Sequence, residues 1–259
     1  MTSWGGSVWM RGSVVMGAAL VLQLAWTGPA TARRAAAAVA ATPDSVLLLG
    51  SSSVGGHLGN TLVRELETLG VSVVLRRRSS SGLARPDFYD WPRSVRRGPA
   101  LGSHLGVMVL LGGNDTQPVR LMAGQRRVGA VRWDHDVAWR ETYAGLVQAF
   151  GRELCERGAR RVVWLLPPNP GRGSWSEKLG RVRTVQREAA STIRCAGDVA
   201  AVVVDGDSPS APFGAAESRD GIHLNRAGAH RYWERVGAEI TSALGVTARS
   251  TPGDAGEPL

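Results

Sequence analysis

The chain has 259 residues, of which 43% are hydrophobic, so it can bury the core of one α/β domain and wholesale disorder is excluded. Its 31 basic and 22 acidic residues give a formal net charge of +9. The arginines are spread along the chain and Lys178 is the only lysine. A genomic compositional bias explains the charge at least as well as an anionic partner such as a membrane surface or an acidic polysaccharide, and we expect no nucleic-acid partner.

The N-terminus has the layout of a secretory signal peptide. Arg11 precedes an apolar run over residues 13–26, and Ala30, Thr31 and Ala32 follow as a small-residue cleavage site. We therefore predict a signal peptide at 1–32 and export to the periplasm or the medium. An uncleaved membrane anchor is the alternative, and it is the only membrane contact expected. An Ala-rich linker (33–44), one domain (45–247) and a polar, disordered tail (248–259) complete the predicted organisation.

The two cysteines, Cys155 and Cys195, leave two interpretations open. They could form a disulfide, which an exported protein permits, or remain two buried thiols. They are too few for a zinc-finger pattern.

Five short runs rich in Val and Leu are typical of strands buried on both faces of a parallel sheet. They cover residues 45–49, 71–75, 105–111, 161–166 and 200–204. Segments with apolar residues at helical spacing lie between and after them, at 60–69, 137–157, 176–193 and 227–244. This alternation predicts a three-layer α/β/α sandwich with a five-stranded parallel sheet, whose ligand binds beyond the carboxyl ends of the strands.

Four polar segments lie at positions where a fold of this kind places its catalytic residues. Residues 50–56 (GSSSVGG) follow the first strand, 79–82 (SSSG) the second and 112–115 (GGND) the third, while 220–223 (DGIH) precede the last helix. Each segment alone is typical of an ordinary turn. Their combination and order carry the functional signal.

Together, these four segments resemble the four sequence blocks of the SGNH (GDSL-like) serine hydrolases over about residues 45–244. The segment at 80–92 (SSGLARPDFYDWP) is similar to a poorly characterised, exported bacterial branch of that family. The resemblance implies a flavodoxin-like α/β/α fold and a carboxylic ester hydrolase that uses no metal or organic cofactor.

The chemistry of the residues agrees with the resemblance. A serine hydroxyl needs a neighbouring base, and an imidazole needs an acid to orient it. Ser52, His223 and Asp220 are predicted to fill these roles as nucleophile, base and acid. Carried over from the family, the oxyanion donors become the backbone N–H groups of Ser52 and Gly82 and the side chain of Asn114.

One departure from the family pattern concerns the first block. The family has Gly-Asp-Ser, whereas Ser51 replaces the Asp here, so three serines are adjacent. Spacing from Gly50 and Gly56 favours Ser52 over Ser51 and Ser53 as the nucleophile. The G-x-S-x-G elbow of the α/β-hydrolases is absent at this position.

Other polar residues allow a functional and a structural interpretation. Arg85 and Asp87 are predicted to bind substrate, with an internal Arg–Asp pair as the alternative. His223 and His230 match no common zinc spacing, so no metal is expected. The cluster at 134–136 (DHD) is interpreted as the charged start of a helix.

The resemblance and the predicted export together imply an exported esterase that hydrolyses O-acyl groups, with O-acetyl groups on a cell-envelope polysaccharide as the expected substrate. An acyltransferase with the same triad is one alternative, since a sugar hydroxyl could replace water. A catalytically silent envelope-binding domain is another, and Ser51 in place of Asp is the feature that favours it.

Overall fold

The computed structural model describes residues 45–171 and 173–246. The predicted signal peptide (1–32), linker (33–44) and tail (248–259) lie outside them. The strands are β1 (Ser45–Gly50), β2 (Ser72–Arg77), β3 (Gly106–Leu110), β4 (Val119–Ala123), β5 (Arg126–Val131), β6 (Val162–Leu165), β7 (Arg194–Cys195), β8 (Val199–Ala200) and β9 (Val202–Val204). The α-helices are α1 (Ser52–Gly55), α2 (His57–Thr68), α3 (Trp91–Arg97), α4 (Asp136–Glu156), α5 (Ser174–Ser191) and α6 (Arg226–Leu244). Across the two described ranges, no helix combines the length and the apolar character that a membrane span requires.

The central sheet has five parallel strands in the order β2-β1-β3-β6-β9. Numbered within the sheet alone, this order is 2-1-3-4-5, which is that of flavodoxin-like folds. The predicted fold class is therefore confirmed. All five strands run in one direction, so their carboxyl ends meet at a single edge of the sheet.

Helices cover both faces of the sheet, and alternate side chains of each strand enter different cores. Leu47 and Val107 belong to the core on the side of α3, α4 and α5. Val46 and Met108 belong to the core on the side of α2 and α6. Because the inner strands are buried on both faces, their sequences are continuous apolar runs.

The structure corrects the predicted elements at several points. Of the predicted strand at 200–204, only Val202–Val204 joins the central sheet, while Val199–Ala200 pairs antiparallel with β7. The sequence prediction also missed helix α3 and the antiparallel hairpin of β4 and β5. The hairpin strands pair with each other rather than with the central sheet, and their largely exposed residues do not form an apolar run.

Cys155 at the end of α4 and Cys195 in β7 form a disulfide. This bond decides between the two interpretations left open by the sequence. It joins positions 40 residues apart and ties the small β7–β8 ribbon to the long helix α4.

Replacing both cysteines with alanine should lower the free energy of unfolding by about 4 kcal/mol, because the cross-link no longer restricts a 40-residue loop in the unfolded chain. Urea unfolding of the wild type and the double variant measures the difference. Unfolding of the wild type in a thiol reductant is the matched control and should give the same loss. A loss below about 1 kcal/mol in both would contradict the expectation.

Candidate active site

The turn between β1 and α1 positions the serines. Ser51 is buried, and its N–H donates to the carbonyl of Leu110 at 3.4 Å, which fixes the turn to the end of β3. Ser52 then begins α1, and N–H groups in a first helical turn have no acceptor inside the helix. Arg77 donates to the carbonyl of Gly55 at 3.2 Å and holds the other end of α1. The hydroxyl of Ser52 therefore stands at the carboxyl edge of the sheet, on a turn fixed at both ends.

The turn from Asp220 to His223 positions the second half of the site. Gly221 has a φ of 68°, a left-handed conformation that glycine adopts without steric cost. This bend lets the N–H groups of Ile222 and His223 donate to one oxygen of Asp220, at 2.9 and 2.8 Å. Asn225 then caps α6 by accepting from the N–H of Gly228 at 3.1 Å.

The three predicted triad side chains lie together, although Ser52 and His223 are 171 residues apart in the sequence. The hydroxyl of Ser52 lies 2.8 Å from Nε2 of His223. Nδ1 of the same ring lies 2.8 Å from Oδ2 of Asp220. Of the three adjacent serines, Ser52 is the one whose hydroxyl contacts the imidazole. A continuous hydrogen-bonded path thus runs from a hydroxyl through an imidazole to a carboxylate.

The Asp220 carboxylate is held in its ionised form. Partial burial alone would raise its pKa, but hydrogen bonds from the backbone and ring of His223 and from the backbone of Ile222 outweigh burial. The pKa of Asp220 therefore lies well below its ordinary value of 3.8. An ionised carboxylate accepts the Nδ1 proton, which leaves Nε2 free to accept one.

A cavity of about 220 Å³ opens beside these residues. Ser52, His223 and Asn114 line it on the polar side. Its apolar wall consists of Pro167, Pro168, Trp175, Leu179 and Ile222. Asn114 donates one amide hydrogen to the carbonyl of Ser81 at 3.1 Å, which leaves its second hydrogen for another acceptor.

Arg85 and Asp87, the predicted substrate-binding residues, pair with each other. Nε and Nη2 of Arg85 donate to the two carboxylate oxygens of Asp87 at 2.7 and 3.1 Å. Neither residue lines the cavity at Ser52. Their contact with substrate stays a prediction.

The remaining polar candidates lie outside the cavity at Ser52. His230 lies on α6 and contacts Glu234 at 3.2 Å. Asp136 begins α4 and pairs with Arg140 and Arg181, as expected for a charged helix start. Within 45–171 and 173–246, no group of three or more His, Cys, Asp or Glu side chains is arranged to hold a metal ion.

A family model described as "Protein of unknown function (DUF459)" matches residues 45–239, three quarters of the chain. The chain belongs to this family. It is an SGNH-like family, so the resemblance drawn from the four sequence segments is confirmed. No curated relative matches the sequence.

Solved structures share the fold of this family member at low sequence identity. A carbohydrate esterase family 3 protein from Talaromyces cellulolyticus has a TM-score of 0.53 and 15% identity over 78% of this chain and 99% of its own. An acetyl esterase mutant with an acetate ion has a TM-score of 0.51 and 16% identity over 78% and 98%. A Bacteroides ovatus protein described as a GDSL-like lipase has a TM-score of 0.56 and 10% identity over 80% and 55%. At such identities the likeness shows the SGNH-type fold.

In this SGNH-like fold, the predicted oxyanion glycine packs against a buried carboxylate that the sequence prediction missed. A Cβ on Gly82 would lie 2.0 Å from Oδ1 of Asp115, so only glycine fits there. The same oxygen accepts from the N–H of Ala84 at 2.8 Å, and the hydroxyl of Tyr143 donates to the other oxygen at 2.7 Å. Gly82 itself does not line the cavity at Ser52. The role of its N–H as an oxyanion donor stays a prediction.

Burial dominates the electrostatics of Asp115. The side chain is fully buried, and burial raises the pKa of its carboxyl against the opposing hydrogen bonds from Tyr143, Ala84 and Leu83. Gln186 donates to the Tyr143 hydroxyl at 2.9 Å and to the carbonyl of Leu111 at 3.1 Å. This network ties the segment after β2 to the segment after β3, and so fixes the loop that carries Gly82.

Replacing Asp115 with alanine should lower the free energy of unfolding by about 3 kcal/mol, because buried donors at Ala84 and Tyr143 lose their acceptor. Urea unfolding measures the loss. Replacing Tyr143 with phenylalanine is the control that removes one donor and keeps the carboxylate, and it should cost about 1 kcal/mol. Equal losses in the two variants would contradict the role given to Asp115.

Proposed function

We propose that the protein is an exported serine esterase that hydrolyses O-acyl esters, with Ser52 as nucleophile. The observation that carries the proposal is the pair of 2.8 Å contacts from Ser52 to His223 and from His223 to Asp220. A serine hydroxyl gains nucleophilic strength only when a positioned base takes its proton, and these contacts supply the base and the group that orients it.

In the proposed reaction, the Ser52 oxygen attacks the ester carbonyl while Nε2 of His223 takes the hydroxyl proton. The C–O bond to the alcohol then breaks as His223 returns that proton to the leaving oxygen, which gives an acyl-enzyme. Water, deprotonated by His223, attacks the acyl-enzyme. The bond from the acyl carbon to the Ser52 oxygen then breaks as His223 returns the proton to that oxygen, which releases the carboxylic acid. Asp220 stays ionised throughout and stabilises the charged imidazole.

The negative oxygen of the tetrahedral intermediate needs hydrogen-bond donors. Two of these donors are proposed to be the N–H of Ser52, in the first turn of α1, and the side chain of Asn114. Both residues line the cavity. The N–H of Gly82 is the third proposed donor, by resemblance to the family.

The cavity favours a short acyl group. Its volume of about 220 Å³ lies below the range of about 300–1,000 Å³ typical of small-molecule sites, which supports a short acyl group. The names of two fold neighbours, a carbohydrate esterase and an acetyl esterase, support the same choice for this chain. We therefore take acetyl as the acyl group and a cell-envelope polysaccharide as its carrier.

Export to the periplasm or the medium is part of the proposal. The signal-peptide layout of the first 32 residues supports it. The disulfide between Cys155 and Cys195 supports it as well, because such bonds persist in oxidising compartments.

The test combines covalent labelling with a chain-length series. A fluorophosphonate should add one label per chain, and peptide mass spectrometry should place it on Ser52. Among aryl acetate, butyrate and octanoate, the acetate should have the highest kcat/KM. A chain that neither takes the label nor turns over the acetate would contradict the esterase. Release of acetyl groups to an added glycan in preference to water would assign the same site to transfer.

A further inference from the structure

A second, larger cavity of about 470 Å³ lies between the edge strand β2, helix α3 and the loop before α3. It shares no lining residue with the cavity at Ser52. Its walls include the arginines at 76, 93 and 97, the aromatic residues Phe88 and Tyr89, and Gln125 from the β4–β5 turn. Three arginines therefore line one concave surface.

No carboxylate of the described residues neutralises these three arginines. Arg93 and Arg97 are four residues apart on one face of α3, and the guanidinium of Arg76 lies against the backbone of Gly98 just beyond the helix. Within the described ranges, none of the three has a carboxylate at ion-pair distance. By contrast, Arg96 on the same helix pairs with Glu153.

The two carboxylates in the cavity wall have other partners. Asp87 is paired with Arg85 through both oxygens. Asp90 caps α3 by accepting from the backbone N–H of Arg93 at 2.9 Å. The pKa of His104 is lowered, mainly by burial and in addition by the positive charge of Arg76. The cavity thus keeps a surplus of positive charge, and like charges held this close favour an anion between them.

An apolar ring borders the same cavity. Phe88 is 45% exposed, and Arg78 lies 5.3 Å from its ring centroid. An exposed aromatic ring next to unpaired arginines matches the two parts of an acidic sugar, namely an apolar ring face and a carboxylate. Guanidinium groups bind carboxylates through paired hydrogen bonds.

We propose that this cavity binds an acidic sugar residue of the polysaccharide whose acyl groups are removed at Ser52. The inference rests on the proposed function and names its substrate class, an acylated polysaccharide containing uronate residues. Arg76 lines this cavity and Ser80 lines the cavity at Ser52. They are four positions apart in the chain, so their Cα atoms are at most about 14 Å apart. A polysaccharide of several rings is long enough to contact both cavities.

The experiment measures binding of trigalacturonate to the full exported chain carrying Ser52→Ala, by calorimetry at low and at high salt. The Ser52→Ala chain should bind it, with affinity that falls as salt rises. The double variant Arg93→Gln/Arg97→Gln should bind about 10- to 100-fold more weakly, because it loses two charge-assisted contacts. Circular dichroism checks that the variants are folded.

The matched control is Arg152→Gln/Arg160→Gln, which removes the same charge from exposed arginines outside both cavities. It should bind trigalacturonate as the Ser52→Ala parent does, and the same two substitutions made in the wild-type chain should leave aryl acetate turnover unchanged. Equal weakening in the control and the test variant would overturn the proposal, as would equal affinity for neutral galactotriose or tighter binding of inorganic phosphate. Failure of the Ser52→Ala chain to bind, with intact esterase activity of the wild-type chain, would remove this inference alone. Binding without esterase activity would instead remove the proposed function.

Discussion

Replacing Ser52 with alanine should lower kcat for aryl acetate hydrolysis by about 10⁴- to 10⁶-fold, since loss of a serine nucleophile removes the whole covalent route. The variant should fold like the wild type because Ser52 is only half-buried and begins a short surface turn. Initial rates with a short aryl acetate, together with thermal melts of both proteins, measure the two expectations. The residual rate should come from binding and oxyanion donors alone.

Ser53 offers the matched control for this experiment. It is adjacent, lines the same cavity and also carries a hydroxyl, but the imidazole contacts Ser52. Replacing Ser53 with alanine should change kcat by less than about tenfold, because no proton-transfer path is lost. If instead Ser53→Ala abolished turnover and Ser52→Ala did not, the adjacent hydroxyl would be the nucleophile.

Much of the fold was predictable because its signals are local. The inner strands β1, β3 and β6 are short apolar runs with a glycine or proline at the end or within two residues beyond it, and burial on both faces dictates their apolar pattern. Parallel strands bring their carboxyl ends to one edge, so segments far apart in sequence were expected to meet there. The contact of Ser52 with His223 across 171 residues follows from that topology.

The hairpin of β4 and β5 was not predictable by the same signal. Its residues from Arg126 to Ala130 are largely exposed, so burial imposes no apolar pattern on them. Gly124, with a φ of 61° in the turn, is a residue typical of hairpins. A single glycine is common in all loops, so it does not by itself predict a hairpin. Gln125 from this turn nevertheless lines the basic cavity, so that surface depends on an element the sequence did not reveal.

Asp115 shows a second limit of sequence reasoning. A Gly-Gly-Asn-Asp segment predicts a polar turn, but nothing local distinguishes a solvated carboxylate from a buried one. The distinction depends on Ala84 and Tyr143, which lie 31 and 28 residues away. Partners at such distances are set by packing, and a single sequence carries no signal for them.

Replacing Asp220 with asparagine should lower kcat/KM by about 10⁴-fold while the fold is kept. The amide oxygen can still accept from the N–H groups of Ile222 and His223. Its NH₂ group then faces Nδ1 of the ring, which must become an acceptor and carry its proton on Nε2 instead. A protonated Nε2 cannot take the hydroxyl proton of Ser52. Rates across a pH series, compared with the wild type, measure the loss.

Nitrogen NMR of His223 separates this cause from a general disturbance. The wild-type ring should carry its proton on Nδ1 and the Asp220→Asn ring on Nε2. Ser218→Ala is the control, since that hydroxyl donates to Asp220 only at 3.3 Å, and it should keep the wild-type tautomer. Asp220→Asn activity within tenfold of the wild type would refute the orienting role.

Acid titration gives an independent check of the same carboxylate. Because the pKa of Asp220 lies below its ordinary value of 3.8, the stability that its ionised form contributes is present above that pH and is lost as the pH falls. Asp220→Asn has no such group to protonate. Its unfolding free energy should therefore fall less steeply than that of the wild type below about pH 4, and parallel curves would show that the carboxylate is not held ionised by His223 and Ile222.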